Sequence, residues 1–85
     1  MNEQQNAHPI KELRARGGIK AAIWRNEDKV NGRNVIRYSV RFQRRYCDPK
    51  GVWKTTEYFR PQDLPRLMLV AQKAFEFVTI IEADE

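Results

Sequence analysis

The sequence predicts an α+β domain in which a curved antiparallel sheet of three to four strands precedes one long C-terminal helix, in the order β-β-β-α. Three segments alternate apolar and polar side chains at every second residue, which is the pattern of strands. Turn signals separate them, and the next segment carries apolar residues at helical spacing. Because the chain has 85 residues, we expect a single domain over residues 18–85.

The N-terminal residues 1–17 are polar and end at Gly17-Gly18, so we predict a flexible tail there. The first strand is "IKAAIWRNE", residues 19–27, in which Ile19, Ala21 and Ile23 share a face. An Asn31-Gly32 pair follows, and this pair favours the positive φ angles of a tight hairpin.

The second strand, "IRYSVRFQRRY" over residues 36–46, has two contrasting faces. Tyr38 and Phe42 lie on its apolar face and are expected in the core. Arg37, Arg41 and Arg45 lie on the other face, with hydrogen-bonding polar residues between them. These arginines can form a binding surface, or they can simply be a basic face exposed to solvent.

The third strand is "VWKTTEYFR", residues 52–60, and it follows an Asp-Pro-Lys-Gly turn over residues 48–51. The second and third strands can pair in either of two registers. In a plain turn Arg45 lies beside Lys54 and Arg41 beside Tyr58, and Trp53 points to the core. A bulge at Gly51 instead moves Trp53 to the arginine face. We favour the plain turn, because it keeps the apolar residues together.

The helix is predicted within "PQDLPRLMLVAQKAFEFVTII", with Asp63 as its N-cap and Pro65 in its first turn. Its broad apolar stripe comprises Leu64, Leu67, Ala71, Ala74, Phe75 and Val78. A second apolar group consists of Leu69, Val70, Phe77 and Ile80. One sheet face cannot cover both, so we predict a homodimer joined through the second group. A few exposed apolar side chains are the alternative.

Composition argues against several classes of function. The chain has one cysteine, Cys47, and one histidine, His8, too few for a structural zinc site. It has no phosphate-binding glycine loop and no group to orient a nucleophile, so we expect neither catalysis nor a cofactor. No segment is long and apolar enough to span a membrane or resembles a secretory signal, and a cytoplasmic location is expected.

Charge is distributed unevenly along the chain, whose formal net charge is +5. Residues 20–60 carry +7, whereas residues 61–85 carry −3. A basic middle region is typical of nucleic-acid binding. Alternate residues of a strand lie roughly 6.6–7 Å apart, close to the spacing of successive phosphates. Arg37, Arg41 and Arg45 recur every four residues with Ser39 and Gln43 between them, so this row can follow a phosphate backbone.

Single-strand binders add aromatic side chains on which bases stack. We therefore predict a single-stranded DNA surface, with RNA as the other possible strand and with little sequence preference. The predicted contact residues are Trp24, Arg37, Arg41, Arg45, Tyr46, Lys54 and Tyr58.

The segments "VRFQRRYCDPKG", "WKTTEYF" and "DLPRLMLVAQKAFEFV", within residues 19–80, resemble the single-stranded-DNA-binding transcriptional coactivator family known as positive cofactor four. The resemblance implies a helix-paired dimer and a DNA channel, with Tyr46 and Arg37 at two of the family's contact positions. The lysine-bearing stretch before the family's helix is replaced here by "TTEYFRPQ". The chain also resembles a group of small uncharacterised bacterial proteins.

Two other functions fit the same pattern. A three-stranded sheet with a helix is similar to domains that place strands in the major groove of duplex DNA. A basic face or an open strand edge also suits a protein-interaction module.

Overall fold

A computed structural model describes residues 8–80 and shows a four-stranded antiparallel sheet followed by one helix. The strands are β1 (Lys11–Ala15), β2 (Ile19–Val30), β3 (Arg33–Cys47) and β4 (Trp53–Thr56). A 3₁₀ turn, Pro61–Asp63, leads into the helix α1 (Leu64–Thr79). The sheet order is β1-β2-β3-β4, so each strand pairs with its neighbour in the sequence. The α+β prediction is confirmed.

Strand β1 corrects the prediction of a flexible tail over residues 1–17. Residues 11–15, "KELRA", pair with β2 in the register Leu13 to Ala21. The strand has only five residues, and Lys, Glu, Leu, Arg and Ala all favour helices. Pairing with β2 therefore overrides local propensity. Residues 1–7 of the predicted tail lie outside the described residues.

The β2–β3 hairpin turns at Asn31 and Gly32, whose φ angles are 53° and 78°. Two successive positive φ angles define the tight turn that matches the twist of paired strands, as the sequence predicts. The long hairpin pairs from Ile19–Arg44 to Val30–Arg33.

The β3–β4 connection takes the bulged register, so the favoured plain turn is wrong. Arg45 pairs with Thr55 and Cys47 with Trp53. Gly51 has a φ of 85°, and the backbone N–H of Asp48 donates to the carbonyl oxygen of Val52 at 2.9 Å. This is a three-residue loop closed by a left-handed glycine.

The side chain of Asp48 stabilises this turn. Its Oδ1 accepts hydrogen bonds from the backbone N–H groups of Lys50 and Val52, each at 2.9 Å. Its Oδ2 lies 3.1 Å from Lys54 Nζ. These bonds, the amide of Val52 foremost, lower the pKa of the Asp48 carboxyl. The hydrogen bonds of Asp48 stabilise the bulged register. Their contribution outweighs the burial of Trp53 that the plain turn would have allowed.

Helix α1 packs on β1 and β2, on the face of the sheet that we call the inner face. The core consists of Ile19, Ala21 and Val70, with Leu13, Ala15, Phe42, Phe59 and Leu67 packed against it. Val70 is therefore a core residue and not a dimer contact as predicted. Conversely, Leu64 and Phe75 of the predicted core stripe are exposed. The helix is rotated toward β1, because Leu13 and Ala15 supply apolar surface there.

Asp63 is the N-cap residue of α1, but its side chain makes no capping bond to the helix. It accepts instead from Arg60, whose backbone N–H and Nε reach Oδ2 at 2.8 and 3.1 Å. Arg60 Nη2 reaches Oδ1 at 3.0 Å. Arg44 of β3 approaches the same carboxylate at 3.3 Å. Asp63 thus ties the start of the helix to the sheet.

Candidate nucleic-acid interface

The candidate site is the outer face of the sheet, which is the face opposite α1. Paired residues of antiparallel strands lie on one face, and Ile19, Ala21 and Phe42 mark the inner face. The alternating residues between them therefore point outward. Arg37, Arg41 and Arg45 of β3 form this outer row, with Lys20, Ala22, Trp24 and Asn26 of β2 on one side and Trp53 and Thr55 of β4 on the other.

Arg45 and Trp53 form a cation–π contact on the outer face. The guanidinium carbon of Arg45 lies 4.6 Å from the centroid of the Trp53 ring. Trp53 remains 58% exposed. A cation over an indole face is attracted by the ring's negative face, and this contact holds the ring in place while much of its surface faces solvent. Sequence reasoning left Trp53 out of the site because it depended on the plain turn.

The other two arginines each have an acidic neighbour. Arg41 Nε donates to Glu57 Oε2 at 2.8 Å, and Arg37 Nε lies 3.6 Å from Asp28 Oδ2. Both arginine side chains are more than half exposed. Exposed ion pairs contribute little to stability. A phosphate can therefore compete with these carboxylates at small cost.

Trp24 lies beside these arginines, paired with Ser39. It is half-buried, and its Nε1 is shielded from solvent with no hydrogen-bond partner within residues 8–80. Next to it, Nδ2 of the buried Asn26 donates to Ser39 Oγ at 3.2 Å. Trp24 thus offers less open ring surface than Trp53.

Three of the predicted contact residues lie elsewhere. Tyr46 and Lys54 pair with each other on the inner face. Tyr46 lies there because it shares the parity of Phe42 on β3, and Lys54 lies there because the bulged register reverses the orientation of β4. Arg44 covers the Tyr46 ring at 5.3 Å. Tyr58 lies beyond the end of β4 and is 84% exposed. The structure therefore brings together Trp24, Arg37, Arg41 and Arg45 from the predicted set, and adds Trp53.

Within residues 8–80, no group of three or more His, Cys, Asp or Glu side chains is placed to hold a metal ion. Over the same residues, no helix has the length and apolar character needed to cross a membrane.

No protein-family model matches the chain, and no curated protein or solved structure matches it.

Proposed function

We propose that the protein is a non-catalytic, cytoplasmic single-stranded nucleic-acid binder that uses the outer face of its sheet. Arg37, Arg41 and Arg45 lie four residues apart on β3, which is roughly 13–14 Å, so they contact every second phosphate of the strand, and a base stacks on Trp53. Such contacts read the backbone and the ring face of any base, so sequence preference is low. DNA is the proposed ligand, as the likeness to positive cofactor four implies.

The observation that carries this proposal is the contact between Arg45 and Trp53. Trp53 keeps 58% of its surface exposed, so its ring is accessible to a stacking base. Here it is held by a cation at 4.6 Å and lies on the same face as two further arginines. A phosphate-binding row beside an open aromatic ring is the combination that single-strand binders use.

An unpaired strand fits this surface better than a duplex. A base can stack on Trp53 only when it has left its neighbours in the helix. In duplex DNA that unstacking costs a few kcal/mol. In a single strand the bases are unpaired, so most of this free energy is not required. We therefore expect single strands to bind more tightly than duplexes of the same sequence.

We further propose that the protein is a homodimer, with a contact surface different from the one predicted. The flank of α1 turned away from β1 exposes Leu64, Met68 and Phe75, and the neighbouring inner face of β3 exposes Tyr38 and Val40. Helix α1 covers mainly β1 and β2, which leaves this apolar surface open. A second copy would bury it. Analytical ultracentrifugation tests this dimer. We expect the parent to sediment as a dimer and the double variant Met68→Asp with Phe75→Asp to sediment as a monomer.

Fluorescence anisotropy tests the proposed function. Labelled single-stranded DNA, duplex DNA and RNA of equal length are titrated at about 50 and 200 mM salt. We expect the single strand to bind most tightly and its affinity to fall with salt. Absence of binding at the lower salt concentration would refute nucleic-acid binding, and tighter binding of the duplex would identify a major-groove reader instead.

A further inference from the structure

A groove runs along the free edge of β1, between that strand and α1. It consists of two adjoining hollows with volumes of ≈ 440 and ≈ 380 Å³. Both are lined by Leu13 of β1 and Lys73 of α1, so they form one continuous depression. It lies on the flank of the helix opposite Leu64, Met68 and Phe75, and apart from the outer face.

The floor of the groove is apolar. Leu69, Phe77 and Ile80 are 55%, 43% and 64% exposed, although each is a large hydrophobic side chain. Leu13, Ala15 and Val70 complete this floor from the strand and the core. Exposed apolar side chains gathered in one depression are typical of a surface that a partner covers.

The rim of the groove is basic. The charged residues that line it are Lys11, Arg14, Arg16, Arg66 and Lys73, against the single acid Glu76. Lys11 Nζ lies 5.6 Å from the Phe77 ring, and Glu76 is bonded to Gln72 and Lys73. The lining therefore carries a formal charge of +4, or +3 when Glu12, which pairs with Arg14 at 3.0 Å, is included. This positive charge attracts an acidic ligand.

Strand β1 also offers backbone hydrogen bonds. It is an edge strand, because the sheet order places β2 on one side of it and no strand of residues 8–80 on the other. An extended peptide can add to such an edge, where main-chain bonds supply affinity and alternate side chains enter the neighbouring groove.

We propose that this groove docks an extended acidic segment of a partner protein, with apolar side chains at alternate positions. The peptide pairs with β1, its apolar side chains contact Leu69 and Phe77, and its carboxylates meet the basic rim. Charge favours this ligand over a second copy of the chain as the occupant, because a second copy would bring a net charge of +5 to a positive groove. A nucleic acid would leave the apolar floor unused.

The test uses the full chain and a fluorescein-labelled nine-residue peptide in which Asp or Glu alternates with Ile or Leu. We expect the peptide to bind at low salt and to shift the backbone amide NMR signals of residues 11–15. The variant Arg66→Glu with Lys73→Glu should weaken binding by about tenfold or more. Lys29→Glu with Lys50→Glu, which changes net charge equally at exposed positions away from the groove, should bind like the parent.

Two control peptides separate the contributions. Lysine in place of each acid should abolish binding, and N-methylation of alternate backbone amides should weaken it by removing strand pairing. Equal loss in both charge-reversed proteins, or unshifted signals for residues 11–15, would overturn the proposal. So would full displacement of the peptide by a single-stranded oligonucleotide, which would assign the groove to nucleic acid, or loss of peptide binding on dimer formation.

Discussion

Arg44 Nε lies 3.3 Å from Oδ2 of Asp63, whose side chain is only 1% exposed. This ion pair joins β3 to the residue from which α1 begins. Arg44 also donates to the carbonyl oxygen of Tyr58 at 3.3 Å and lies over the Tyr46 ring. One arginine therefore connects the sheet, the loop after β4 and the helix.

Asp63→Asn should lower the melting temperature by roughly 5–10 °C. The amide removes the negative charge between two guanidinium groups and replaces an acceptor oxygen with a donor. Thermal unfolding followed by circular dichroism at pH 7 measures the change. Glu57→Gln is the matched control, because Glu57 is 58% exposed and its loss should leave the melting temperature nearly unchanged.

The same carboxylate predicts how stability depends on pH. The side-chain bonds of Arg60 lower the pKa of Asp63 to about 2. The folded state then binds this proton less readily than the unfolded state. The contribution of the Asp63 carboxylate to the free energy of unfolding is therefore complete above about pH 4 and is lost as the pH falls toward 2. The difference in stability between the parent and Asp63→Asn should shrink over that interval. A constant difference would contradict this assignment.

Gly18→Ala should destabilise the fold more than Gly51→Ala. A Cβ on Gly18 would lie 2.2 Å from the carbonyl oxygen of Arg45, whereas the space around Gly51 is open. Both glycines have positive φ, which costs an alanine about 1–2 kcal/mol, so the excess at Gly18 measures the steric clash. Urea unfolding of both variants gives the comparison, and equal losses would show that the clash is relieved by a local shift.

Trp53→Ala should weaken binding of single-stranded DNA by about 1–3 kcal/mol, or roughly 5- to 150-fold. The change removes the ring on which a base stacks and the surface against which Arg45 rests. Phe77→Ala is the control, because Phe77 is also a partly exposed aromatic residue, at 43%, but lines the groove between β1 and α1, away from the outer face and the proposed dimer surface. If both variants bind like the parent, Trp53 is not a stacking platform.

Glu57→Gln should strengthen binding by up to about fivefold at low salt. It removes the carboxylate that competes with phosphate for Arg41. Glu27→Gln is a matched control, since Glu27 forms a similar exposed pair with Arg25 at 3.0 Å on the inner face. An equal gain in both variants would reveal a general effect of net charge.

The sequence predicts the helix, the β2–β3 hairpin and the two faces of β3, because each extends over enough residues for its periodicity to be visible. Strand β1 is missed because its five residues all favour helices. That omission also misplaces the core side of α1, since Leu13 and Ala15 draw Val70 inward.

The hairpin register could not be chosen from apolar pattern alone. Burial favours Trp53 on the inner face, but the two amides bonded to the Asp48 carboxylate and the left-handed Gly51 determine the turn. The position of Trp53 beside Arg45 follows from that local chemistry. Lys54 moves to the inner face for the same reason, whereas Tyr46 lies on that face in either register because it shares the parity of Phe42 on β3.

The proposed role of the arginine row is tested most directly by charge reversal on the outer face. A labelled single-stranded oligonucleotide is titrated against the parent, Arg41→Glu with Arg45→Glu, and the control Lys29→Glu with Lys50→Glu. Both variants change net charge equally. We expect the outer-face variant to lose at least about a hundredfold in affinity, and the control to lose far less. Equal losses in the two variants, with both proteins folded, would contradict the account.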